Sequence, residues 1–410
     1  MRSLKHESHL RGNPAQNEAI THGEGACLVL AGPGSGKTFV ITERARYLIM
    51  KRGVPPSKIL TLTFTRAAAG EMKRRFKKET SGRYPEAVFA TFHSFFYSIL
   101  RTYAGYEKRV TEEEAVDFDD MLTACHTLLS DHPDVLAAVS SRFDHIQADE
   151  FQDVSPVQYE VMKLIAGKRC NLFIVGDDDQ SVYAFRGADP DVMKRFVRTV
   201  PEVRVIRLNV NYRCRERILK LSTQLIKHNK HRFRKSFIAG RTDAPGEIAL
   251  TFYPDVRTEA EHVLSAYKKA CSAGKSCAII VRTNEEAERF VKAGRALYQN
   301  APNVLTMHAA KGLEFDTVFL PRLNEGVLPV RRSKESGRLE EERRLLYVGI
   351  TRGRMSVFLS CVKAGGYDGV MSRFIKEMMP YLRKYAACAI FKSTFSNADR
   401  MRSEHTIEYI

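Results

Sequence analysis

Short apolar runs recur along the chain and alternate with longer stretches whose apolar residues fall at helical spacing, the rhythm of a parallel sheet covered by helices. The runs Ala26 to Ala31, Ile59 to Phe64, His145 to Ala148, Leu172 to Val175, Val203 to Leu208, Ile248 to Phe252, Cys277 to Val281 and Val318 to Leu320 predict strands. The fold class is α/β. Ligands of an open parallel sheet bind beyond the carboxyl ends of its strands, so residues that follow different strands can meet at one crevice. Between Ser94 and Arg142 the pattern turns helical. There Asp117 to Ser130 carries apolar residues at helical spacing, and His132-Pro133 stops it. Thr242 to Glu247 reads as a turn.

A chain of 410 residues suits two domains rather than one core. Lys and Arg number 65 against 48 Asp and Glu, a formal charge of +17 that would attract a polyanion. A basic surface serving only solubility stands beside that reading. The 8 cysteines include no C-x-x-C pair, which argues against a zinc knuckle and a disulfide scaffold. No apolar run approaches the roughly 20 residues of a membrane span. Met1 to Gly12 lacks the core of a signal peptide, so a cytoplasmic protein is expected.

Chemistry is written most clearly in Ala31-Gly32-Pro33-Gly34-Ser35-Gly36-Lys37-Thr38, between an expected strand and an expected helix. This is the context of a phosphate-binding loop, in which backbone N–H groups and the helix's positive end cradle phosphate oxygens. Gly34, Ser35 and Gly36 would line it. Lys37 would bridge the β- and γ-phosphates of ATP, and Thr38 would ligate Mg2+. Asp149-Glu150-Phe151-Gln152-Asp153 ends another expected strand, with Asp149 suited to magnesium and Glu150 to the general base. Alone, such an acidic run is more often a solvated helix start; its weight comes from pairing with the loop.

With these stand Asn13-Pro14-Ala15-Gln16, Thr63-Phe64-Thr65, Thr91-Phe92-His93-Ser94 and Gly176 to Ala188 (GDDDQSVYAFRGA). Asn211-Tyr212-Arg213, Thr306 to Phe315 (TMHAAKGLEF) and Glu341 to Arg352 (EERRLLYVGITR) complete the ordered series. The series resembles the UvrD/Rep/PcrA helicases of superfamily one, from near the N-terminus to about Ser360. The resemblance implies two RecA-like parallel-sheet domains in tandem, with ATP between them and a short helical insert in the first. The expected boundaries are 1–94 with 141–205 for the first domain, 95–140 for the insert, 206–375 for the second and 376–410 for an extension without a motif. Gln16 would read the adenine edge and Tyr212 stack on its face. Gln180 and Arg186 would sense the γ-phosphate from the first domain, Arg213 and Arg352 would reach it from the second, and Glu314 would contact the ribose. Guanidinium groups aimed at a transferring phosphoryl stabilise its spreading charge.

The same resemblance places Phe64, Thr65, Phe92, His93, Tyr183, Phe185 and His308 along or beside a single-strand channel. Without it, most of these aromatics read as core. The clusters at Lys73 to Lys78 and Lys230 to Lys235 fit phosphate contacts and solvated helix faces alike. Two departures matter. Arg66-Ala67 stands where relatives carry Asn-Lys, and Phe185 where they commonly carry Trp. The inserts are also short, with Tyr298 to Pro302 marking where a large accessory domain would lie. The resulting expectation is an ATP-dependent motor moving 3′-to-5′ on single-stranded DNA and unwinding 3′-tailed duplex, associated with the nucleoid and with protein partners in repair or replication. The rival is a DNA-dependent ATPase switch within a larger DNA-processing complex. A small-molecule phosphotransferase sharing only the loop is disfavoured by Arg213, Arg352 and the His308 region.

Overall fold

A computed structural model describes residues 11–103, 118–298, 301–331, 333, 338–363, 369–392 and 406–409. The chain forms two compact units, Met1–Asn209 and Val210–Ile410.

In the first unit β1 (Cys27–Ala31), β2 (Ile59–Thr63), β3 (Val88–Thr91), β4 (His145–Ala148), β5 (Leu172–Gly176) and β6 (Arg204–Leu208) form one parallel sheet in the order β3-β2-β4-β5-β1-β6. The strands β1, β2, β4 and β5 are buried along their whole length, and β1 and β5 accordingly read as unbroken apolar runs. Helices α1 (Pro14–Thr21), α2 (Lys37–Arg52) and α3 (Arg66–Glu79) supply Ile20, Val40, Ile41 and Met72 to a core shared with Val29, Val175 and Ile206. The half-buried edge strand β3 was not expected; its four residues are too few to show a period.

The helical insert begins within α4 (Phe92–Thr102), and continues through α5 (Phe118–Asp131) and α6 (Pro133–Ser140). His132-Pro133 ends one helix and starts the next, Pro133 taking the first helical position where no N–H is needed. The unit closes with α7 (Pro156–Ala166) and α8 (Val192–Thr199).

The second unit opens with the short pair β7 (Val210–Asn211) and β8 (Ile238–Ala239) around α9 (Glu216–Ile226). Its sheet runs β11-β10-β12-β13-β9-β14-β15, built from β9 (Glu247–Tyr253), β10 (Cys277–Val281), β11 (Val304–Thr306), β12 (Phe315–Leu320), β13 (Gly353–Val362), β14 (Ala387–Lys392) and β15 (Thr406–Tyr409). All pairs are parallel except β14 with β15. Helices α10 (Val256–Ser272) and α11 (Asn284–Tyr298) pack Leu264 and Phe290 on Ile279 and Phe319. Then come α12 (Leu339–Ile350) and α13 (Arg373–Tyr385). The two units are thus RecA-like α/β domains in tandem. The stretch expected as an extension from 376 instead includes β14, which pairs with β9 inside the second sheet. Among the described residues, no helix is long and apolar enough to cross a membrane.

Candidate functional site

The loop closing β1 turns on two glycines with positive φ, Gly34 at 64° and Gly36 at 86°, conformations that a Cβ disfavours. At Gly36 a Cβ would also come within 2.7 Å of Gln16 Nε2. Gln16 therefore lies against the loop. Its Nε2 donates to Ser35 O at 2.9 Å, while its Oε1 accepts the Asn13 N–H at 3.0 Å in the capping box of α1. The Ser35 hydroxyl donates to Gly32 O at 2.8 Å. Helix α2 starts on Lys37 and carries Thr38 in its first turn, so its unpaired N–H groups lie at the loop.

Lys37 Nζ donates to Glu150 Oε2 at 2.9 Å and so joins α2 to the end of β4. Burial pulls the Lys37 pKa down, but Glu150, Asp149 and Asp177 outweigh it and the net shift is upward. The ammonium stays charged. Glu150 is left-handed, with φ 51° and ψ 40°, at a cost of about 1–2 kcal/mol for a residue with a Cβ. Such strain persists where the surroundings over-determine it. Here the Glu150 N–H donates to Asp149 Oδ1 at 2.9 Å while its carboxylate meets Lys37.

Asp177 follows β5, the strand between β1 and β4, and its Oδ2 accepts Gln180 Nε2 at 2.6 Å. Lys37, Asp149, Glu150 and Gln180 therefore gather at the carboxyl edge of one sheet. Sequence reasoning gave no role to Gln152 or Asp177, which bind these residues together; an amide inside an acidic run was the available signal. The Thr38 hydroxyl and the Asp149 carboxylate are hard oxygen donors on the two elements that the Lys37–Glu150 pair joins, a set that fits magnesium. Among the described residues the carboxylates of Asp177, Asp178 and Asp179 also lie within 4.8 Å of one another. Asp177, however, is committed to Gln180 and to the Asp179 N–H at 3.3 Å, bonds that close the turn.

Aromatic residues follow the neighbouring strands. Phe64 is half-buried, its ring 5.5 Å from that of Phe92. Phe92 is fully buried against Phe64 and Phe96, so its ring backs that of Phe64. Exposed Thr65 caps α3, its hydroxyl accepting the Ala68 N–H at 3.1 Å, and half-buried His93 lies in the first turn of α4. Tyr183 and the exposed Phe185 have rings 6.0 Å apart. The Arg186 guanidinium, expected at the γ-phosphate, rests over both, 5.4 and 5.5 Å from their centroids. Helix α3 buries Ala69, Met72 and Phe76 and exposes Lys73, Arg74, Arg75, Lys77 and Lys78.

In the second unit, Arg213 Nε donates to Glu314 Oε2 at 2.7 Å, and Arg354 Nη1 to Glu314 Oε1 at 3.2 Å. Burial raises the Glu314 pKa, yet Arg213 and Arg354 outweigh it and leave the carboxyl below its ordinary value. Two expected site residues, 101 positions apart, thus meet. Buried Asn211 accepts the N–H groups of Arg213 and Cys214 at 2.9 and 2.7 Å, fixing the turn that exposes Tyr212. A Cβ at Gly240 would come within 2.8 Å of the Tyr212 ring, so that glycine leaves the ring its place.

Arg352 is buried, bonding Val348 O through Nε at 3.0 Å, Leu313 O through Nη1 at 3.1 Å and the Thr351 hydroxyl through Nη2 at 3.3 Å. It ties the end of α12 to the turn before Glu314. Half-buried His308 lies in the turn after β11. Glu314 and Arg352 immediately precede β12 and β13, whose first residues Phe315 and Gly353 are register partners. These residues gather at the amino edge of their sheet, not at the carboxyl edge that strand-end reasoning anticipates, because the preceding turns carry them.

A family model described as the UvrD/REP helicase N-terminal domain matches residues 12–104 and 101–201, and one described as the UvrD-like helicase C-terminal domain matches 206–300 and 294–364. The chain is 34% identical over 365 residues to YjcD of Bacillus subtilis, covering 70% of this chain and 47% of that protein. It is 31% identical over 363 residues to the ATP-dependent DNA helicase PcrA of Staphylococcus aureus, covering 68% and 49%. The PcrA of Staphylococcus epidermidis is similar at 30% identity over 363 residues, with the same coverage. The chain spans about half the length of these curated relatives.

Proposed function

Because the chain belongs to the UvrD-like helicase family, we propose that it is an ATP-driven motor moving 3′-to-5′ on single-stranded DNA and unwinding 3′-tailed duplex. The observation that carries this reading is the Lys37–Glu150 pair at 2.9 Å, which sets a phosphate-binding lysine against a candidate general base. ATP binds the loop from Gly34 to Thr38, with Gln16 and Tyr212 at the base and Glu314 at the ribose. Water attacks the γ-phosphorus, its proton passes to Glu150, and the bond to the β-phosphate oxygen breaks to give ADP and inorganic phosphate. Thr38 and Asp149 would hold magnesium, which when bound would offset phosphate charge. Gln180, Arg186, Arg213 and Arg352 serve the γ-phosphate; Arg186 and Arg352 leave their present partners to do so. Phe64, Thr65, His93, Tyr183, Phe185 and His308 serve the strand, with Phe92 behind Phe64. Stacking on such rings tolerates any base, which suits a motor. The reading places the protein in the cytoplasm, on chromosomal DNA.

One observation favours a second reading, an ATPase switch within a larger DNA-processing complex. Only residues 299–303 separate α11 from β11, so no accessory domain is inserted there. Purified chain incubated with ATP and 3′-tailed or 5′-tailed duplexes tests both. Unwinding confined to 3′ tails is expected; DNA-stimulated hydrolysis without unwinding supports the switch, and preference for 5′ tails overturns the polarity.

A further inference from the structure

Gln152 is completely buried, yet its side chain makes no use of the core around it. Its Nε2 donates to Glu150 Oε2 at 2.5 Å, the same oxygen that Lys37 holds. Its Oε1 accepts the Asp177 N–H at 2.9 Å, and its own carbonyl accepts the Ser181 hydroxyl at 3.1 Å. Asp177 in turn holds Gln180 through its carboxylate. Even the end of β5 is shaped around this amide, since a Cβ at Gly176 would lie 2.8 Å from Gln152 Oε1. One residue therefore ties the candidate base to both ends of the turn from Asp177 to Ser181, its side chain holding Glu150 and Asp177 and its backbone carbonyl holding Ser181. That turn leads directly into Tyr183 and Phe185.

We propose that Gln152 is a positioning residue that makes the orientation of Glu150 depend on the 177–185 segment, so that a strand held at Tyr183 and Phe185 sets the base for attack. The inference rests on the proposed ATPase. When Lys37 turns to the phosphates, its hold on Glu150 Oε2 is released and Gln152 keeps that oxygen in place. A donor and an acceptor in one side chain are both required: the donor grips the base, and the acceptor grips the turn.

The test is steady-state hydrolysis by the full chain, with and without oligo-dT, for wild type, Gln152→Met and Gln152→Glu. Methionine keeps the volume and loses both bonds; glutamate keeps the acceptor for Asp177 and loses the donor to Glu150. Both variants should lower the DNA-stimulated kcat by about 10- to 100-fold, with the KM for ATP within about two-fold, since the phosphate loop is untouched. Gln152→Met should also flatten the ratio of stimulated to basal rate, whereas Gln152→Glu should retain part of it. Unchanged kcat and stimulation in either folded variant overturns the proposal. A fall explained wholly by a raised KM does so too. A wild-type chain that hydrolyses no ATP defeats the ATPase reading instead, so the two failures are distinguishable.

Discussion

Lys37→Ala is expected to lower ATP turnover by about 10²–10³-fold or more and to weaken nucleotide binding together with it. The reason lies in the charge around the ammonium. Burial alone would lower the Lys37 pKa, but the carboxylates of Glu150, Asp149 and Asp177 outweigh it and the net shift is upward. Removing it leaves those groups facing the incoming phosphates with no counter-charge. The variant should therefore lose binding as well as chemistry, unlike a change at a group that acts only in the transition state. Titration with a fluorescent ATP analogue beside a turnover assay checks both. A variant that binds as tightly as wild type contradicts the assignment of Lys37 to the phosphates.

Glu150→Gln should separate the two effects. The substitution keeps the side chain's shape, so the contacts to Lys37 and Gln152 lose charge more than geometry. Turnover should fall by about 10²–10⁴-fold, the range for a positioned general base. Binding should hold or tighten, because the present Lys37–Glu150 pair competes with the phosphates for the lysine. The same two assays read it, and a variant that turns over like wild type removes Glu150 from the role of base.

How far these residues could be found in the sequence follows from what carries the signal. The loop at Lys37 was legible because its glycines, strand and helix lie within one short stretch of chain. The buried strands were legible because apolar runs with covered faces look alike anywhere. The edge strand Val88–Thr91 was not, being half-exposed and four residues long. Neither was Gly353–Val362, which begins with Gly-Arg-Met and directly follows a helix. The roles of Tyr212, Arg213, Glu314 and Arg352 came from family resemblance alone. Structure then adds that Arg213 and Glu314 pair, which 101 intervening positions conceal. Gln152 escaped notice because its meaning lies in two bonds, to a residue two positions before it and to one 25 positions after it. Phe64 and Phe92 could not be told apart in the sequence, because a strand-end aromatic reads the same whether it faces a ligand or backs its neighbour. Only packing separates Phe64 from Phe92.

A strand on the aromatic residues and a nucleotide on the loop should both be felt by one set of bonds around Glu150. The rate of ATP hydrolysis by the intact chain, measured against rising concentration of single-stranded oligo-dT, tests it most directly. A slow basal rate should climb at least about tenfold and saturate, falling back as salt displaces the strand. A rate that ignores DNA at every concentration would contradict it.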